Sequence, residues 1–191
     1  MGERGLGYIK KDRGVEMLKS RDVKVSGKLR IDEGVIRTIQ EEARKKQPLE
    51  TMGPLYGPFD YEPYEHEGKV FYITKAFGPG ENSKHKLDAC MMNDEYFSKL
   101  ETEMWENGRN IVLGIWHSHP FQDIAFPSGA DLVGHSGYPE SSGWRGFNKK
   151  NNYGDMGHIQ IIIAKRSIKA WHVTNNSITL IWECDDGIGW W

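Results

Sequence analysis

The chain has 191 residues, with 25 Lys and Arg against 27 Asp and Glu, for a formal charge of −2. That length is ample for one domain with its own core, and so even a charge balance gives no electrostatic case for nucleic acid or an anionic membrane. No apolar run is long enough to span a bilayer or to serve as a signal core. Two cysteines, Cys90 and Cys184, are too few and too far apart for a disulfide framework or a Cys-x-x-Cys metal pair, so the expected compartment is the cytoplasm.

Residues 1–22 are charged and glycine-containing without periodicity, which predicts a flexible or loosely docked leader ahead of a single domain over 23–191. A short strand is expected over Asp22–Lys28, then a helix over Ile31–Lys46, with Ile31, Val35, Ile36 and Ile39 on one face and Pro48 ending it. Val70–Phe77 is rich in branched and aromatic residues and predicts one strand, broken by Gly78-Pro79-Gly80. An acidic helix follows from Asn93 or Asp94 to Asn107, burying Phe97, Leu100 and Met104 and ending at Gly108. Residues 139–157 predict a long loop of the kind that often serves as a lid. His158–Ala164 is a buried strand, and Lys169–Val173 with Ile178–Glu183 a final hairpin over Asn175-Asn176. Strands interleaved with helices predict an α/β or α+β domain, a mixed sheet with helices packed on it.

The chemistry concentrates after Ile111–Trp116, an apolar stretch that reads as a buried strand. Side chains two apart on a strand share a face, so His117 and His119 present two imidazoles together while Ser118 points away. Pro120 ends the strand. Ser128 has the chemistry of a helix N-cap, which puts Asp131 in the first helical turn and lets a returning loop bring a carboxylate to the imidazoles. Two nitrogens and one oxygen, with a fourth position left to water, is the composition of a catalytic zinc site. On their own the two histidines admit another reading, a solvated or hydrogen-bonded pair at a strand end. Cys90 paired with His85 is a second nucleophile candidate, although Cys90 lies among Ala89, Met91 and Met92 and reads better as a buried, inert thiol.

Upstream, Glu50-Thr51-Met52-Gly53-Pro54-Leu55-Tyr56-Gly57 places a glutamate just before spaced Gly, Leu and Gly. With His117-Ser118-His119-Pro120 and Ser128-Gly129-Ala130-Asp131, it resembles the JAB/MPN metalloprotease family and its JAMM motif, in the same order and at similar separations. The resemblance spans roughly residues 23–183 and is closest to stand-alone bacterial members. Two departures stand out. Eleven residues separate His119 from Asp131, slightly more than the family has, so the Phe121–Pro127 loop should bulge. Pro54 suits an edge or a strand end better than a central strand.

The resemblance implies a cytidine-deaminase-like fold and one catalytic zinc ion on His117, His119 and Asp131. It implies Glu50 as the general acid and base, not a ligand, and Ser128 as a donor to the oxyanion. It implies hydrolysis of the amide after the C-terminal glycine of a ubiquitin-like protein, by deconjugation or precursor processing. Such members occur beside activating and conjugating enzymes, some in antiphage defence. A sulfur-carrier peptidase would use the same residues, and a non-catalytic MPN scaffold would normally lack some of them. The family walls its substrate channel with an insertion between the glutamate and the histidines. This points to Gly78–Met92, with Asn82, Ser83, Lys84 and His85 as contacts to an extended tail.

Overall fold

The computed structural model describes residues 24–25, 29–59, 71–86, 90–133, 157–174 and 177–184. Within them, β1 (Lys24–Val25), β2 (Leu29–Ile31), α1 (Glu33–Lys46) and β3 (Met52–Pro58) come first. They are followed by β4 (Phe71–Ile73), β5 (Lys75–Ala76), β6 (Lys84–His85), β7 (Cys90–Met91) and α2 (Asp94–Glu106). Then come β8 (Asn110–His119), α3 (Gly129–Val133), β9 (His158–Ala164), β10 (Ile168–Val173) and β11 (Ile178–Cys184). Seven strands form one sheet in the order β1-β11-β10-β9-β8-β3-β5. Only the β8–β9 pair is parallel, so the sheet is mixed.

Alternation along the strands divides the core between the two sheet faces. Leu55 and Tyr56 are neighbours on β3 and belong to different apolar clusters. Leu55 joins Trp116, Ile159, Ile161 and Ile163 beneath Val35, Ile39 and Ala43 of α1. Tyr56 joins Val112 beneath Leu100 and Met104 of α2. A third cluster on β9 and β10, with Ile162, Ala164, Trp171 and Val173, is covered by Ala125 and the partly buried Leu132. Each fully buried Leu, Ile or Val contributes about 1.5–3 kcal/mol. α2 starts where Asn93 accepts a hydrogen bond from the Tyr96 amide at 2.8 Å, an N-cap as its side chain allows.

Several expectations are corrected. Ile31 does not open the first helix; it ends β2, which pairs in parallel with β4 through Leu29–Phe71, Arg30–Tyr72 and Ile31–Ile73. The single strand expected over Val70–Phe77 divides at Thr74, whose amide donates to the Tyr56 carbonyl (2.9 Å). β4 then pairs with β2 and β5 with β3. The 78–92 segment holds a small hairpin, β6 with β7, that was not expected. The leader over 1–22 and the loop over 139–156 lie outside the described residues.

Pro54 sits inside β3, between β8 and β5, not at an edge. With Leu55 opposite Ala76, Pro54 falls opposite Phe77, and its carbonyl accepts the Phe77 amide at 3.2 Å. The reciprocal bond would need an N–H that proline lacks. The indole of Trp116 supplies it, donating from Nε1 to the Phe77 carbonyl at 2.8 Å. Gly53 and Gly57 have their own reason on the same face. A Cβ there would lie 1.9 Å from the Phe77 carbonyl oxygen and 2.0 Å from that of Tyr72. The glycines of this stretch therefore let backbones close up over β3. Among the described residues no helix is long and apolar enough to cross a membrane.

Candidate metal centre

β8 and β9 run in parallel, with His117 beside Ile162 and His119 beside Ala164. Partners in a parallel register share a face, so both imidazoles emerge beside Ile162 and Ala164, on the face where Ala125 packs. Both histidines are buried. The chain then turns at Pro120 and is tied down: Gln122 N donates to the His119 carbonyl at 3.1 Å, and Ala125 N to Ser167 Oγ at 2.6 Å. Lys165 N and Arg166 N donate to the carbonyls of Gln122 and Asp123. The inserted loop is thus a fixed platform leading into α3.

Ser128 caps that helix. Its Oγ accepts from the Asp131 amide at 3.2 Å and donates to Asp131 Oδ2 at 2.8 Å, while its own amide donates to the same oxygen at 2.6 Å. Leu132, the next residue, packs against the β9–β10 cluster. The serine cap and the leucine anchor aim the Asp131 carboxylate back at the strand end.

His117 Nε2 lies 3.0 Å from His119 Nε2. Asp131 Oδ1 is 3.1 Å from the first and Oδ2 3.4 Å from the second. Zinc bonds of about 2.0–2.1 Å in a tetrahedron separate neighbouring donors by about 3.3 Å, so the three groups stand where three corners of such a site would be. Their donor atoms all lie within 4.8 Å of one another, the one such group among the described residues. Without an ion one ring must carry its proton on Nε2 to bond the other ring or Asp131, whereas a cation between them takes the Nε2 lone pairs of both. The residues present fit a divalent metal.

The electrostatics agree. Burial works to raise the Asp131 carboxyl, but the charge and hydrogen bonding of His117 and His119 hold it far below the ordinary carboxylate range. Burial works against a charged His119, yet its hydrogen bond to Asp131 and that carboxylate's charge, a hydrogen bond to Gln122 and the charge of Glu50 raise its pKa above the ordinary value. The charge of Glu50 thus acts on His119, yet Glu50 is not one of the grouped donors.

The neighbouring chain fixes Glu50. Ser118, between the two histidines, points to the other face and binds Thr51 twice: its amide donates to the Thr51 carbonyl (2.8 Å) and its Oγ accepts the Thr51 amide (3.0 Å). Glu50 N donates to the Lys86 carbonyl at 2.8 Å, and His85 Nδ1 donates to the Glu50 carbonyl at 2.9 Å. Of the four residues expected to meet a substrate, Asn82 and Lys84 face solvent, while Ser83 and His85 are half-buried, His85 reaching the Glu50 carbonyl and Ser83 the His85 ring. Both ring nitrogens of His85 are engaged there, so His85 does not stand as a base for Cys90. No residue spacing announced the links from Ser118 to Thr51 or from His85 to Glu50.

Residues 32–173, well over half of the chain, match the family model described as prokaryotic homologs of the JAB domain. Among solved structures, the chain is similar to a protein from Desulfitobacterium hafniense whose solution structure is known. The likeness has a TM-score of 0.54 at 17% identity and covers 80% of this chain and 88% of that one. At that identity it speaks to the fold alone. None of the curated proteins compared matches the chain.

Proposed function

Because the chain belongs to the prokaryotic JAB-domain family, we propose that it is a zinc-dependent peptidase that cleaves after the C-terminal glycine of a ubiquitin-like protein, in a conjugate or in a precursor. One observation carries the hydrolytic part. Two imidazoles and a carboxylate converge as three corners of a metal site, and Glu50, whose charge acts on His119, is not among the donors.

His117, His119 and Asp131 would hold the ion, which when bound supplies a water acidified to a pKa of about 7 and polarises the scissile carbonyl. Glu50 accepts the proton of the attacking water and passes it to the leaving amine. Its backbone is held from both sides, so only side-chain torsions separate the two positions. Ser128 has one hydroxyl proton, and here it goes to Asp131. In this arrangement Ser128 orients the ligand carboxylate, and an oxyanion role requires the hydroxyl to turn away from it. The ubiquitin-like substrate, the partnership with activating and conjugating enzymes and a place in antiphage defence rest on the motif's resemblance to stand-alone bacterial members. The sulfur-carrier reading shares every one of these residues. A non-catalytic scaffold is the weaker alternative, since no donor is missing.

The test uses purified protein, metal analysis and two substrates: a ubiquitin-like protein with a C-terminal fusion, and a sulfur-carrier protein with one. About one zinc per chain is expected, with loss of metal and of cleavage in His119→Ala. Stoichiometric metal after removal of both histidines would sink the assignment of the centre. Cleavage of the carrier fusion alone would move the substrate to the second class.

A further inference from the structure

We propose that His85, braced by Ser83, is a positioning residue for Glu50; this rests on the reading of Glu50 as the proton carrier. Glu50 lies between the end of α1 and the start of β3, in a stretch with no ladder of its own. A proton carrier so placed has to be fixed by other means, because displacements of about 1 Å can cost a hundredfold in rate. Both backbone polar groups of Glu50 are taken by one segment. Lys86 accepts its N–H at 2.8 Å and the His85 ring donates to its carbonyl at 2.9 Å.

The brace behind His85 is built in series. Ser83 Oγ lies 2.7 Å from His85 Nε2 and 2.9 Å from the Gly80 carbonyl. Gly80 packs on the Tyr96 ring of α2, and Asn93 N reaches the Pro79 carbonyl. The hairpin pairing of His85 with Cys90 holds the backbone beneath the ring. A carbonyl only accepts, so Nδ1 carries the proton. In the neutral ring Nε2 then accepts from the Ser83 hydroxyl. In the charged ring Nε2 donates to Ser83, which turns its own proton to Gly80. The bond to Glu50 survives in both states, as a structural strut requires.

Three substitutions at position 85 test this. An asparagine amide nitrogen overlays Nδ1, a glutamine amide nitrogen overlays Nε2, and phenylalanine keeps the ring without either donor. His85→Phe and His85→Gln should lower kcat about tenfold to a hundredfold with KM and zinc content unchanged, and His85→Asn should recover most of it. In a Glu50→Gln background His85→Phe should cost nothing further, because the group it positions is already inert. A raised KM at constant kcat, or additive losses in the double variant, would overturn the proposal and return His85 to substrate binding. A second measurement needs no substrate: amide exchange at Glu50 should quicken at least about tenfold in His85→Phe and stay slow in His85→Asn. Unchanged protection in His85→Phe overturns the strut even if no peptide is ever cleaved. Normal exchange changes with no hydrolysis in the parent chain would instead fault the peptidase reading.

Discussion

Ser128→Ala separates two roles that a serine beside a metal site can play. The substitution removes the charge-assisted hydrogen bond from Oγ to Asp131 Oδ2 at 2.8 Å and the acceptor for the Asp131 amide at 3.2 Å. The Ser128 amide still donates to Oδ2, so the carboxylate keeps one restraint. Loss of an outer hydrogen bond to a ligand weakens metal binding about tenfold to a hundredfold, or roughly 1.4–2.7 kcal/mol. Loss of the cap costs the short helix about 1 kcal/mol more in stability, a fall of about 2–4 °C in Tm for a chain of this size. Zinc affinity is measured by competition with a chromophoric chelator, and kcat at saturating zinc. If Ser128 mainly orients Asp131, affinity falls by the stated factor and saturating zinc restores much of the turnover. Ser128→Thr, which keeps the hydroxyl, should stay near the parent. Affinity within about twofold of the parent, with kcat still down a hundredfold at saturating zinc, would refute the orienting role and place the hydroxyl on the reacting oxygen.

Glu50→Gln should retain about one zinc per chain and lose at least about a hundredfold in turnover; loss of the metal would make Glu50 a ligand, and full activity would remove it from the mechanism. Trp116→Phe leaves the part-buried Phe77 carbonyl without the donor that Pro54 cannot replace, a cost of about 1 kcal/mol beyond the smaller ring. Pro54→Ala restores an N–H at that point and should recover about 1 kcal/mol in the Trp116→Phe background but none in the parent; strictly additive denaturant midpoints would refute the substitution of indole for amide. His158 is pushed down to about 3 by burial, with the charge of His172 acting in the same sense. Its native pKa lies below the unfolded value of about 6.5, so the unfolded chain binds the extra proton as pH falls. The stability it contributes is complete above about pH 6.5 and is lost toward pH 3, at up to about 1.4 kcal/mol per pH unit. His158→Gln keeps an acceptor for the Gln160 amide and should flatten that slope in urea melts; parallel curves for parent and variant would refute it.

Much of the molecule was legible wherever a signal is local. The apolar spacing of Val35 and Ile39, of Leu100 and Met104, and the apolar run from Ile161 to Ala164 mark α1, α2 and β9 without any partner in view. The metal donors were legible because strand alternation and a serine cap act over two or three residues. What escaped is non-local. β2 is three residues long and owes its strand to a parallel partner some forty positions away, as in the Leu29–Phe71 pair. The break at Thr74 comes from one hydrogen bond to Tyr56. Pro54 obeys the rule against proline in a ladder, but the repair comes from an indole on another strand. The bond from His85 to the Glu50 carbonyl, thirty-five residues earlier, escaped as well, because nothing in the spacing of these residues shows it.

The sheet face from which the histidines emerge is hydrocarbon beside them, from Ile162 and Ala164 with Ala125 packed on it, and next to such a surface net charge is felt strongly. Asp131 and Glu50 each bring one negative charge and the two imidazoles none when their lone pairs face an ion. A divalent ion would therefore make the filled pocket formally neutral, and the proposed proton transfer from water to Glu50 would move charge within it without altering the total. On the proposed reading, a cleaved tail would leave as a carboxylate and meet no surplus positive charge to retain it. Release of that product should then depend little on ionic strength, because the pocket that makes the anion has no net attraction for it.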